Sequence, residues 1–141
     1  YIQPRINKQL SDYIIDLTGI TQQKIDIQGV DFKIAIKKFY KFSENLQLYS
    51  YGNDYKIIQE NLDLYKILPD SKYRLWISSF FDICPIFQCY GINTSKYTSG
   101  TIYKHFKINP DSKIKIHNSE WDTYSMYLTL QYIFKNKDKL C

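Results

Sequence analysis

A chain of 141 residues that is 44% hydrophobic and 23% charged has the balance of one soluble globular domain, which excludes disordered and collagen-like classes. Lys and Arg exceed Asp and Glu by 19 to 14, a net charge of +5 spread without a long run of like charges, which biases the chain mildly toward polyanionic partners. No apolar run approaches eighteen residues and no signal-peptide pattern opens the chain, while Cys84, Cys89 and Cys141 make neither an even disulfide framework nor paired zinc spacing; no membrane span is expected, and the expected compartment is cytoplasmic or otherwise reducing.

Tyr1-Ile2-Gln3-Pro4 reads as the end of a strand leaving through a proline. Leu10, Tyr13, Ile14 and Leu17 then repeat at i, i+3, i+4, i+7, which predicts a short amphipathic helix over Leu10 to Leu17, stopped by Gly19. Thr21 is placed to cap a further turn through Ile25. Asp31 is placed to cap a second helix with Phe32, Ile34, Ala35, Ile36, Phe39 and Phe42 on a broad apolar face and Lys33, Lys37, Lys38 and Lys41 outside it. Leu46 to Tyr51 alternates and ends at Gly52-Asn53-Asp54, which predicts a strand and a turn.

A helix is expected from Tyr55 to about Lys66, ended by Pro69. Leu75 to Phe81 reads as a buried strand, followed by Asp82 as cap of a helix through Tyr90, with Pro85 in its first turn and Gly91 after its end. Ser99 to Phe106 predicts another short helix. Ser119 to about Phe134 predicts a long one, with apolar residues nearly all round it, as for a helix between layers. Helices and strands in this order read as α/β, in one domain over residues 1–141.

The chemistry-bearing pattern is His117-Asn118-Ser119-Glu120-Trp121-Asp122, a histidine just before a helix and an aspartate in that helix's first turn. A carboxylate there suits a hard cation, and an imidazole that titrates near neutrality can take a proton from water. The alternative is a solvated histidine and an ordinary first-turn acid favoured by the helix dipole. Asp54 stands where a strand gives way to a helix, the end of an α/β sheet at which ligands gather, and also where a helix cap would stand. Asp82 holds a similar position but precedes a helix-like run directly, which favours a cap. Cys84 and Cys89 read as buried thiols, and His105, among aromatics, as surface or packing. Fourteen Tyr and eight Phe offer rings on which unpaired bases could stack, or simply reflect residue usage.

Several of these segments coincide in order with one family. Pro4, Leu10-Ser11-Asp12, Leu17-Thr18-Gly19-Ile20-Thr21 and Phe32 to Phe42 resemble the stretch after the third strand of DnaQ-like 3′–5′ exonucleases of the DEDDh type. Tyr49-Ser50-Tyr51-Gly52-Asn53-Asp54, with Ile57-Ile58, resembles the second motif, which often reads Ser-Trp-Gly before its metal-associated Asp; here Tyr51 stands for Trp and the gap is one residue shorter. His117-x4-Asp122 resembles the third motif, and the nearest branch is the one that includes the sporulation inhibitor KapD and the Eri1-like ribonucleases.

The resemblance implies an RNase H-like three-layer α/β fold and a two-ion Mg²⁺ or Mn²⁺ site that hydrolyses phosphodiester bonds at single-stranded 3′ ends of RNA or DNA, releasing nucleoside 5′-monophosphates. It assigns Asp54 and Asp122 as metal ligands and His117 as general base. The first motif, Asp-x-Glu, occurs nowhere in these residues, and the resemblance puts it before Tyr1. The expectation is therefore an N-terminally incomplete domain, helix-rich with few strands, with little activity by itself and with an unpaired sheet edge and uncovered helix faces. Two other readings are a non-catalytic RNase H-like remnant that binds nucleic acid or protein, and a small α/β interaction domain.

Overall fold

The computed structural model describes residues 1–44, 46–68, 71–110 and 119–140. The chain divides into two compact units, Tyr1–Asp82 and Ile83–Cys141.

The first unit begins with a bridge rather than a full strand: Ile2 pairs in parallel with Val30, and the Gln3 N–H donates to the Val30 carbonyl at 3.0 Å. Helix α1 (Asp12–Thr18) is capped by the Ser11 hydroxyl and ends at Gly19 in the left-handed conformation, φ 68°. Its apolar stripe buries nothing fully, and Tyr13 is 71% exposed. Helix α2 (Gln22–Gln28) is capped by Thr21 as expected and runs three residues further than its cap alone indicated, burying Ile25.

In α3 (Phe32–Ser43) the Asp31 carboxylate accepts the Lys33 N–H at 2.8 Å, and Phe32 and Ile36 are buried. Phe42, placed on the apolar face by spacing, is instead 77% exposed, because the burial stripe is narrower than the run of apolar residues. Helix α4 (Asp54–Leu64) ends in a left-handed Lys66, where Arg74 of α5 (Lys72–Ile77) donates to the Ile67 carbonyl at 2.9 Å and pairs with Asp63.

The core of this unit is Phe32, Ile36, Leu62, Tyr65, Trp76 and Ile77, with the Trp76 ring meeting Phe39, Tyr40 and Phe80 edge-on at centroid distances of 5.0, 5.5 and 5.3 Å. This corrects the strand expected over Leu75 to Phe81: Leu75–Ile77 form the end of α5, and a turn follows at Ser78 and Ser79. A short apolar run fits a buried helix as well as a strand, and here the Arg74 and Trp76 contacts settle it. Only Phe81–Asp82 (β2) is extended, paired in parallel with β1 (Tyr49–Ser50) in the register Tyr49 with Phe81 and Ser50 with Asp82. The strand expected over Leu46 to Tyr51 is thus two residues long, and no further strand joins this pair among the described residues.

In the second unit α6 (Cys84–Cys89) carries Pro85 in its first turn. Its N-cap is Ile83, so Asp82 is not the cap it was expected to be. Cys84 is buried, but Cys89 is exposed, contrary to the reading of both as buried thiols. The segment Ser99 to Phe106 forms a 3₁₀ helix at Ile102–Phe106, with another at Thr94–Lys96. His105 packs edge-on to Tyr97 and Phe106, as its aromatic neighbours suggested.

Helix α7 (Ser119–Leu140) outlasts its expected end. It buries Trp121, Ser125, Thr129 and Ile133, one residue in four, while Phe134 is 68% exposed. A stripe at that spacing is one face of a surface helix, not the all-round burial of a helix between layers. No helix among the described residues is long and apolar enough to cross a membrane. The architecture is helix-rich, with two short parallel strands.

Candidate functional site

At the carboxyl ends of β1 and β2 the chain gathers two carboxylates. β1 stops at Ser50, and the chain turns through Gly52 at φ 77°, a left-handed conformation that glycine adopts without strain. The Gly52 N–H donates to Asp82 Oδ1 at 2.9 Å, and the Ser50 hydroxyl donates to the Gly52 carbonyl at 3.3 Å. The N-cap of α4 is Asn53, which makes no side-chain cap bond, so Asp54 is the first residue inside the helix and not its cap.

An acid in a first helical turn is favoured by the partial positive charge of the unpaired N–H groups. The Asp54 carboxyl is nonetheless held above the usual carboxylate range. Partial loss of water is the main cause; a hydrogen bond from the Tyr51 backbone works against it, and the negative charge of Asp82 adds to it. Asp54 as a residue stays exposed, so the carboxyl keeps part of its hydration and remains open to a ligand.

In the second unit the first turn of α7 presents Asp122. The adjacent Trp121 is 2% exposed, donates from Nε1 to the Gly100 carbonyl at 2.9 Å and meets the Tyr103 ring edge-on at 5.5 Å. Asp122 Oδ1 is buried and finds no hydrogen-bond donor among the described residues. A Cβ added at Gly100 would lie 2.3 Å from that oxygen, so glycine there is what makes room for the carboxylate.

A buried carboxylate oxygen without a donor loses its hydration with no return, unless a cation or another donor meets it. Carboxylate oxygens are the donors that hard divalent ions take, so Asp54 and Asp122 fit Mg²⁺ or Mn²⁺ in kind. Among the described residues no group of three or more Asp, Glu, His or Cys is gathered at one point. His117 lies outside the described residues.

Two residues of interest were not legible as such. Asp82 holds the same kind of position after a strand as Asp54, but the helix-like run that follows it directly favours a cap in sequence. Gly100 carried no signal of its own, since it falls within the run Ser99 to Phe106 that the sequence reads as a short helix.

No family model matches the chain, and no solved structure matches it. Curated proteins do. The 3′–5′ exoribonuclease 1 of Homo sapiens is 35% identical over 83 residues, which is 59% of this chain and 20% of the relative. That of Rattus norvegicus is 33% identical over 99 residues, 70% of this chain and 23% of the relative. ERI1 exoribonuclease 2 of Xenopus laevis is 43% identical over 47 residues, 33% of this chain and 7% of the relative. The chain thus spans less than a quarter of the length of each of these relatives. Over part of its length it is a distant homologue of the 3′–5′ exoribonucleases, members of the DEDDh exonuclease family.

Proposed function

We propose that the chain carries the second and third motifs of a metal-dependent 3′–5′ exonuclease domain of RNase H-like type, acting on single-stranded 3′ ends, with RNA as substrate. The observation that carries this reading is the partial identity to proteins named 3′–5′ exoribonucleases, 70% of the chain being covered in one of them. The in-order match of Tyr49 to Asp54 and His117-x4-Asp122 to the motifs of the family supports it.

In this reading Asp54 and Asp122 hold divalent Mg²⁺ or Mn²⁺, with the first-motif acids outside residues 1–141. When bound, such ions would supply positive charge that lowers the pKa of the attacking water and steadies the leaving oxygen. His117 accepts the proton of the attacking water, which requires the neutral imidazole and so a pH near or above 7. The placement of Asp54 at the end of a strand supports its share of this role, since that end of an α/β sheet is where ligands are met. The unpartnered Asp122 Oδ1 supports the other.

The test is hydrolysis of a uniformly labelled single-stranded RNA and of its DNA counterpart by the intact protein with Mg²⁺, with Mn²⁺ and with chelator. Stepwise release of 5′-monophosphates from RNA, lost with chelator and reduced at least about 10²-fold in Asp54→Asn and Asp122→Asn, is expected. Binding of RNA without metal-dependent cleavage would instead support the non-catalytic remnant.

A further inference from the structure

We propose that Asp82 is a positioning residue that fixes the turn from which Asp54 projects; this rests on the reading of Asp54 as a metal ligand. β1 and β2 pair over only two residues each, and the pairing ends at Ser50 and Asp82. Past that point no strand pairing holds the chain before α4 starts at Asp54.

Side chains take over. The Asp82 carboxylate reaches across thirty positions of sequence to accept the Gly52 N–H at 2.9 Å, and the Ser50 hydroxyl donates to the Gly52 carbonyl at 3.3 Å. Both backbone groups of Gly52 are therefore held by the paired last residues of the two strands. The Asp82 bond is charge-assisted, and such bonds are about twice as strong as neutral ones. Asp82 itself is half-buried and is set by the strand that carries it, since the Phe81 N–H donates to the Leu48 carbonyl at 3.0 Å.

Gly52 is two residues before Asp54, and at φ 77° it sets the direction in which the chain leaves β1. Holding Gly52 holds the first turn of α4 and with it the Asp54 carboxylate. Partners of this kind, which touch a ligand's support and not the ligand's reacting oxygens, commonly change metal affinity or activity by about 10- to 100-fold when removed.

The experiment uses the intact protein and compares Asp82→Leu, Asp82→Asn and Asp54→Asn. It reads Mn²⁺ affinity by calorimetry, kcat and KM on single-stranded RNA, and hydrogen exchange at the Gly52 amide. Asp82→Leu is expected to lose at least about tenfold in Mn²⁺ affinity and in kcat, with KM within about twofold, and to lose Gly52 protection. Asp82→Asn keeps an acceptor oxygen in the same place and is expected to stay within about threefold of the parent in all three.

Unchanged Mn²⁺ affinity and Gly52 protection in Asp82→Leu, with both activity and Mn²⁺ binding lost in Asp54→Asn, overturns the proposal. So does an Asp82→Asn as impaired as Asp82→Leu, because the charge and not the bond would then be responsible. Should Asp82→Leu not fold, Asp82→Glu serves: it keeps the charge but moves the acceptor by a methylene, and parent-like values overturn the proposal. A parent-like Asp54→Asn removes the ligand reading of Asp54 and the positioning role with it, and the Gly52 exchange still reports the clamp separately.

Discussion

Replacing Gly100 with alanine tests the seat of Asp122 with one methyl group. The new Cβ would stand 2.3 Å from Asp122 Oδ1, 3.3 Å from its Cγ and 3.4 Å from Trp121 Cδ1. Side-chain carbons are not found below 3.0 Å, so about 0.7 Å must be recovered. Trp121 resists, being 2% exposed and bonded to the Gly100 carbonyl at 2.9 Å. The carboxylate must therefore swing aside.

Leaving a rotamer well costs about 0.5–1.5 kcal/mol, and overpacking a filled site about 1–3 kcal/mol. Gly100 is not left-handed, so alanine also restricts the unfolded chain, which offsets about 0.4–1 kcal/mol. A net loss of about 0.5–4 kcal/mol is expected in urea unfolding. On the proposed role of Asp122 as a metal ligand, displacing its carboxylate by nearly an ångström should cost about 10²-fold in turnover. The decisive assay is a double-mutant cycle. On an Asp122→Ala background the carboxylate is gone, and Gly100→Ala should then cost about 1 kcal/mol less than it does alone. Additive effects, or a Gly100→Ala protein equal to its parent in stability and rate, would refute the steric argument.

Asp54→Asn should raise stability at neutral pH while abolishing activity. The Asp54 carboxyl is raised in the folded state, so its contribution to stability is full below the ordinary value of 3.8 and is lost as pH rises through the folded value; the gain from asparagine should shrink in melts taken progressively below that range. On the proposed role of His117 as base, His117→Ala should reduce turnover by about 10²-fold or more with little loss of fold; a near-normal rate would sink its assignment as base. Trp76→Ala should cost about 3–5 kcal/mol, measured by denaturant unfolding, since it empties the place where Phe39, Tyr40 and Phe80 converge.

Local signals were legible where one residue suffices to set the geometry. Thr21 and Asp31 cap the helices their positions announced, and Gly19 ends α1 in a left-handed conformation, whereas Ser11, inside the helix expected from Leu10, is in fact its cap. What stayed hidden depends on partners distant in sequence. Whether Leu75 and Trp76 lie in a strand or a helix is decided by the Arg74 bond to the end of α4 and by the rings that close on Trp76, neither of which periodicity encodes. The same holds at the candidate site. Asp54 was found from its place at the end of a strand, and Asp122 from its distance to His117. Asp82 reads as a cap in the sequence because one of its partners, the Gly52 N–H, lies thirty positions earlier. Gly100 went unremarked because the carboxylate for which it leaves room is twenty-two residues later.

The one-in-four stripe of α7 has a further meaning. Trp121, Ser125, Thr129 and Ile133 form a key that fits its seat in a single rotation, because large ends flank two small hydroxyl residues, with Thr129 tied to the Ser125 carbonyl at 2.9 Å. Asp122 follows Trp121 by one position, about 100° further around the helix. The direction of its carboxylate is thus set by the packing of the helix as a whole and not by a bond to Oδ1 from any described residue. Randomising this helix and selecting for folding should leave those four positions nearly fixed in size while the exposed turns drift freely. The bearing of Asp122 would then be inherited as a by-product of packing.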